Sequence, residues 1–480
     1  LTAAYKHISL LLLGSLILAG CANTQPSATE ASDSDTDSVA ASKQNYFFDH
    51  CETDSELQGP WEQDQAIFKK FDLCVGPFQL TPAQMPQQSP TAQITSNDDL
   101  MGSKKCKITN DPSVDIVRAF PNANQNWLKE SLHPSPDTVY QVIPLQSKDA
   151  PNASGNSPSG DYQKYFDFLS AWTKYVSDGD SNVEFRVPDQ YLEFPGKIGK
   201  YKVGHKNHDD PGHIAFANEV SKLIDGKLDI NSADMILIVV PAGTDLSVIE
   251  QGPVPLIQNG RPHLNSTTLS PSLTMENADP EYNLWFSHPM GVLHELYHIG
   301  PGLEDHVGTA HGDKWGVKEG DEIGTGQWGV MSSGITDLLA WEKWYMGFML
   351  DSQIRCAKSN KESTHWLAPS TIKTTKPKLL VIPLGKHEAL IIESMRSKGL
   401  NYKLPKMSEG ALVYHLNASE PRRDFAYQVL GPEGRKISTS SFLLADWTMK
   451  QGESIDFKGV QITVVESGEF GDVIEVRPSR

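Results

Sequence analysis

Five consecutive residues constrain this chain more than any other stretch: His294-Glu295-Leu296-Tyr297-His298. Histidines four apart fall on one face of an α-helix, one turn along, so their imidazoles can converge on a single cation. Two neutral imidazoles suit tetrahedral zinc, and a glutamate between them stands where it can take a proton from a metal-bound water. The pattern predicts a helix over residues 289–299. Ser287-His288-Pro289 supplies a cap and a first-turn proline, and no helix continues through Gly300-Pro301-Gly302. His288 lies six residues before His294, off the ligand face, and reads as part of the cap. An ordinary amphipathic helix carries these three residues by accident in roughly a few per cent of chains this long, so the motif needs company. Just past the stop, Leu303-Glu304-Asp305-His306 offers three further metal-ligating side chains in a row.

After an acidic, glycine-rich loop comes Gly326-Gln327-Trp328-Gly329-Val330-Met331-Ser332-Ser333-Gly334. Gly324, Gly326 and Gly329 have the spacing of a dinucleotide fingerprint, but no clear strand precedes them and no phosphate-binding helix follows. Met331 in a tight turn beneath a metal site is the better account, since its soft side chain packs under the ligands. A plain core methionine is the alternative. Residues 338–347 are apolar-rich and predict a helix that packs against the metal-binding helix.

The start of the chain has its own logic. Lys6 precedes an apolar stretch over residues 8–18, too short for a comfortable membrane span. Residues 1–20 therefore read as a targeting segment. Leu18-Ala19-Gly20-Cys21 resembles the lipobox of bacterial lipoproteins, which implies lipidation at Cys21 and, with Ala22 following, an outer-membrane address in the cell envelope. A plain secretory peptide is the other reading. Residues 21–45, rich in Ser, Ala, Thr, Asp and Gln, bury too little to fold and read as a flexible tether. Residues 46–137 hold Cys51, Cys74 and Cys106, many prolines and no sustained periodicity, and read as an irregular region. With Cys356, four cysteines allow two disulfides in an oxidising compartment. One bridge within residues 51–106 and one from there to Cys356 is plausible by spacing, though the pairing is not fixed. Cys74 or Cys106 as a zinc ligand in a latent form is the alternative to a structural bridge.

The remaining pattern is of two kinds. Residues 138–145 and 234–240 read as strands, the second buried by its continuous apolar run. Residues 161–176 have helical spacing of Tyr165, Phe168, Leu169 and Trp172, and residues 214–224 read as a second helix. Residues 184–187 and 191–194 look extended. His205, His208 and His213 fall in a polar stretch and read as solvated loop histidines. This strand–helix–strand order suits a metallopeptidase domain over residues 138–350. From 351 to 480 short apolar runs at 379–384, 389–393, 411–416 and 460–465 are separated by turn signals, which predicts a β-sandwich-like region. The fold class is α+β. Sixty Asp and Glu against 42 Lys and Arg, a net charge of -18, argue against nucleic acid as partner and read as solubility in a secreted protein; a protein or peptide substrate is what the zinc motif points to.

Taken in order, these pieces resemble the immune inhibitor A-like secreted metallopeptidases, over residues 138 to the end. Gly302-Leu303-Glu304-Asp305 is similar to that family's Gly-Leu-Pro-Asp turn, and Trp328-Gly329-Val330-Met331-Ser332-Ser333-Gly334 to its Trp-x-x-Met-x-x-Gly segment. Ala340-Trp341-Glu342-Lys343 with Gly347-Phe348 resembles the helix that follows. Leu390-Ile391-Ile392-Glu393 and Gly410-Ala411-Leu412-Val413-Tyr414-His415 are similar to later strands. The resemblance implies a metzincin-like domain in which His294, His298 and Asp305 hold zinc, Glu295 is the catalytic base and Met331 makes the methionine turn. The turn departs from the family in its extra Pro301 and in Glu304, so Glu304 and His306 stand as alternative third ligands. The resemblance also allows a structural calcium at Asp313, Glu319, Asp321 and Glu322, residues that read equally as solubilising charge. Two other classes stay open: a binding lipoprotein without turnover, and a surface adhesin that uses its C-terminal part on glycan or protein.

Overall fold

Two proline-led helices flank the first sheet. In α1 (Pro158–Val176) the Ser157 hydroxyl accepts from the Gly160 N–H, and in α2 (Pro211–Ile224) the Asp210 carboxylate accepts from the N–H groups of Gly212 and His213. Proline in the first turn costs no hydrogen bond there, because that N–H has no intrahelical partner. The computed structural model describes residues 85–109, 111, 113, 137–204, 209–263, 265–269, 293, 294, 296, 297, 303, 306, 324–326, 328–332, 337–401, 404, 406–420, 426–434 and 446–479. All belong to one unit, Lys43–Arg480.

The first sheet is built from β1 (Asp137–Gln146), β2 (Asn182–Arg186), β3 (Leu192–Glu193), β4 (Met235–Val239), β5 (Gly252–Pro253) and β8 (Ser266–Thr268), in the order β2-β1-β4-β8-β5 with β3 beside the end of β1. All pairings are parallel except β5 with β8. A separate hairpin joins β6 (Leu256–Gln258) to β7 (Arg261–His263) through Asn259 and Gly260, both at positive φ. Val142, Leu237 and Val239 point to the α1 face with Tyr162, Phe166, Leu169 and Trp172. Ile143, Ile236, Ile238 and Val240 point to the α2 face with Phe216, Val220 and Ile224. Helices on both faces explain why β4 is apolar at every position.

One expectation fails here. His213 belongs to α2 and is fully buried, not a solvated loop residue. Its Nε2 accepts from the Gly204 N–H at 3.1 Å, and its Nδ1 lies 2.6 Å from the Pro253 carbonyl. The Asp210 cap and Pro211 start the helix early enough to carry it inward. His205 and His208 lie outside the described residues.

The second half is two packed sheets. One has the order β14-β13-β12-β11-β9, from β9 (Ile354–Cys356), β11 (Leu379–Pro383), β12 (Glu388–Met395), β13 (Gly410–Asn417) and β14 (Tyr427–Leu430); only β9 with β11 is parallel. The other has the antiparallel order β10-β17-β16-β15, from β10 (Ser363–Leu367), β15 (Ser454–Phe457), β16 (Val460–Gly468) and β17 (Gly471–Pro478). Leu380, Ile382, Leu390, Ile392 and Val413 meet Ile455, Ile462, Val464, Ile474 and Val476 between them. The expected sandwich is there, but β11, β12 and β13 do not alternate. Their other face, with Leu379, Val381, Ile391, Leu412 and Tyr414, packs on Trp341 and Trp344 of the short helix α3 (Ala340–Tyr345). Both faces are buried, so nearly every position is apolar.

The segment touches two cores: the α3 tryptophans face the sandwich, while Tyr345 and the flanking Leu338 and Met346 pack in the core of Leu293, Leu296 and Tyr297, the contact expected from the sequence. The described part of the N-terminal region lies along the same β-rich half. Thr95 pairs with Thr364, Met101 N–H donates to the Cys356 carbonyl, and Arg355 holds Asn97 and the Thr95 carbonyl. Cys106 is bonded to Cys356 with their Cα atoms 5.9 Å apart. Cys106 is therefore a structural bridge and not a thiolate available to zinc. Cys51 and Cys74 lie outside the described residues.

Candidate functional site

Leu293, His294, Leu296 and Tyr297 are helical, and the apolar three sit on the α1 face of the first sheet. The Tyr297 hydroxyl accepts from Trp172 Nε1 at 3.0 Å, and burial pushes its phenol far above the usual range. That bond pins the helix to α1 and so fixes which way its remaining face looks. His294 is on that remaining face and is only 7% exposed.

His294 Nδ1 lies 2.8 Å from the Val330 carbonyl oxygen. A carbonyl only accepts, so the proton belongs on Nδ1 and the lone pair on Nε2. The carbonyl is presented by a double turn. Trp328 N–H donates to the Thr325 carbonyl at 3.0 Å, Ser332 N–H to the Gly329 carbonyl at 3.1 Å, and the Ser332 hydroxyl to the Gly326 carbonyl at 2.6 Å. Gly326 and Gly329 take φ values of 58° and 90°, open to glycine and strained for other residues. Met331 is fully buried in the same core as Leu293, Leu296, Tyr297 and Leu303. The methionine and the helix therefore share one apolar core.

The turn that follows the helix is held at both ends. Leu303 N–H donates to the Tyr297 carbonyl and His306 N–H to the Met331 carbonyl, each at 2.9 Å. The His306 ring is buried, its Nε2 3.1 Å from Glu342 Oε1 and its centroid 3.9 Å from that of Tyr427. Its side chain is engaged with α3 and β14. Behind Glu342 stands a further buried carboxyl. Glu393 on β12 accepts from the Ala340 N–H at 2.9 Å and the Tyr414 hydroxyl at 3.2 Å, and burial pushes it up to about 7. Asp337, paired with Lys343, is likewise raised by burial.

Glu295, His298, Glu304 and Asp305 lie outside the described residues, as do Cys21 and the acidic Asp313, Glu319, Asp321 and Glu322. Among the described residues no three His, Cys, Asp or Glu side chains gather to hold a metal ion; His298, Glu304 and Asp305 are not among those residues. No described helix is long and apolar enough to cross a membrane. Sequence reasoning missed Val330, Glu342 and Glu393. The first acts through its backbone and leaves no side-chain signal, and nothing in the sequence marks the two carboxylates as buried. No protein-family model and no curated protein matches this chain.

Proposed function

We propose that the chain is a zinc-dependent endopeptidase with a metzincin-like catalytic part. Within that class, the linked turn, methionine and Ala-Trp segments favour an immune inhibitor A-like enzyme, carried on the cell envelope by a lipid on Cys21. The observation that carries the reading is the 2.8 Å contact between His294 Nδ1 and the Val330 carbonyl. A metal-binding histidine commonly donates its second N–H to a backbone carbonyl, which fixes the tautomer and aims the other nitrogen. The donor set suits zinc: two imidazoles and a carboxylate leave a fourth position open. His294 and His298 would hold the ion, with Asp305 as third ligand. The His306 ring lies against Tyr427 with its Nε2 3.1 Å from Glu342 Oε1, and neither ring nitrogen has a hydrogen bond among the described residues, so Glu304 and His306 stay as alternatives to Asp305.

When bound, the metal would polarise the scissile carbonyl and bring the pKa of water toward neutrality. The protein's own part is proton handling and alignment. Glu295 takes the proton of the attacking water and delivers it to the leaving amine nitrogen. The Trp172–Tyr297 hydrogen bond keeps the helix from rotating and so holds His294 in place.

The test is casein hydrolysis by the Lys43–Arg480 unit beside Glu295→Ala, with metal analysis of both. Zinc near one per chain in both, with activity in the variant down by about 10²-fold or more, is the expected result. Zinc without turnover in the parent would favour the binding lipoprotein, and no zinc would end the catalytic reading.

A further inference from the structure

We propose that the exposed run Gln87-Gln88-Ser89 is a processing site, at which an endopeptidase parts the folded body from whatever precedes it. Residues 91–106 are the strap that stops the cut from travelling further. The two stretches are neighbours in sequence and opposite in character. Residues 85–90 form neither helix nor strand, and among the described residues they make no hydrogen bond. Gln87, Gln88 and Ser89 are exposed, between Pro86 and Pro90. Backbone that is polar, exposed and unbonded can be drawn into a protease cleft as an extended segment, since no contact is broken in doing so. Hydrolysis there adds water across one amide, leaving a carboxylate on the outgoing piece and an ammonium at the new start of the body.

From Thr91 onward the backbone is taken. The Thr91 N–H and hydroxyl both donate to the Glu466 carboxylate of β16, the N–H at 2.8 Å. Thr95 N–H donates to the Thr364 carbonyl of β10 at 3.0 Å, and the Thr95 hydroxyl accepts from the Thr364 N–H at 2.8 Å. Arg355, only 5% exposed, donates to the Thr95 carbonyl at 2.6 Å and to the Asn97 side chain. Lifting the strap would leave that buried guanidinium, among the described residues, with His365 as its remaining hydrogen-bond partner, a large penalty. Met101 N–H on the Cys356 carbonyl at 3.0 Å and the Cys106–Cys356 bridge close the strap. A protease must break these contacts before it can seat residues 91–105. The boundary between cleavable and protected chain therefore falls at Thr91, and the Glu466 carboxylate marks it. Where the chain is held at Cys21, as proposed above, a cut ahead of Thr91 releases the body from the envelope; the site itself needs neither that lipid nor the metal.

The experiment digests the full chain with a trace of subtilisin and reads the new N-termini by mass spectrometry over time, with melting of each protein beforehand. The variants are Gln88→Pro, Glu466→Ala and Glu466→Gln. We expect a first new N-terminus at Gln88 or Ser89, appearing about 10-fold or more faster than any within residues 92–106. Gln88→Pro, which adds a third proline to the run, should slow that cut about 10-fold while the melting temperature holds. Glu466→Ala should admit cuts between residues 91 and 95, and Glu466→Gln, whose amide oxygen still accepts from Thr91, should stay closer to the parent. Equal rates on the two sides of Thr91, or a parent cut first within residues 92–106, would overturn site and strap together. A parent that is cut elsewhere but not at residues 87–89 would overturn the site, as would an unchanged rate in Gln88→Pro. An unchanged pattern in Glu466→Ala would overturn the boundary at Thr91.

Discussion

Glu393 carries a proton that an unfolded glutamate would give up. Burial raises its carboxyl from the usual 4.5 to about 7, against the Ala340 N–H that favours the charged form. Between those two values the folded chain holds a proton that the unfolded chain has lost. The stability this contributes is complete below about pH 4.5 and is lost as pH rises through 7. Urea unfolding from pH 5 to 8 should therefore show wild type losing stability with pH relative to Glu393→Gln. A parallel pair of curves would refute the assignment. His365 works in the opposite sense. Burial first, and the Arg355 guanidinium second, depress it from 6.5 to about 3, so its contribution is present above pH 6.5 and drains away toward 3. Replacing it by glutamine should blunt the acid limb of the stability profile. At Gly329, with φ of 90°, a Cβ would stand 3.2 Å from Leu339 and 3.6 Å from His306 Nδ1. Gly329→Ala should cost about 1–2 kcal/mol from the left-handed backbone alone, seen as a lower melting temperature, and should reduce zinc content. None of these buried polar roles is legible in the sequence. Glu342 sits in Ala-Trp-Glu-Lys, a spelling shared by any half-exposed helix, and only the packing of α3 on both sides takes its charge out of water.

At the scale of elements the sequence is more candid. β1, α1, α2 and β4 are legible because apolar period and capping chemistry agree: Ser157 or Asp210, then proline, then a repeating apolar face. The β6–β7 hairpin had a signal as well, Asn259-Gly260 between two short runs, since a two-residue turn needs positive φ at both positions. His213 was misread by weighing its polar neighbours above the Asp210 cap three residues earlier. For α3 the expected contact with the Leu293, Leu296 and Tyr297 core is present, but the second core was not legible, because an apolar helix does not say how many cores will share it. Its two tryptophans are fully or nearly fully buried against the five-stranded sheet. Trp341→Ala should thus cost about 3–5 kcal/mol, and denaturation should show that loss even in metal-free protein. A cost below 1 kcal/mol would mean that α3 is a passenger.

The whole molecule is less divisible than its sequence suggests. A boundary near residue 350 is reasonable from pattern, yet it would strip the sheet from Trp341 and Trp344 and remove Cys356 from Cys106. A chain ending at residue 350 should not give a cooperative unfolding transition by circular dichroism. The Cys106–Cys356 bridge spans 250 residues of sequence, and losing it through Cys106→Ser with Cys356→Ser should cost about 2–5 kcal/mol. The same bridge decides what a cut in the backbone can do. Everything from the first strand to α3, including His294 and Met331, lies within the covalent loop it closes. A backbone nick anywhere between residues 106 and 356 leaves two pieces still tied together, one band on a gel until a reductant is added. Whatever precedes Cys106 cannot then be shed by a cut within that loop, and a nicked molecule keeps its N-terminal part, its sandwich and the helix of His294 as one particle.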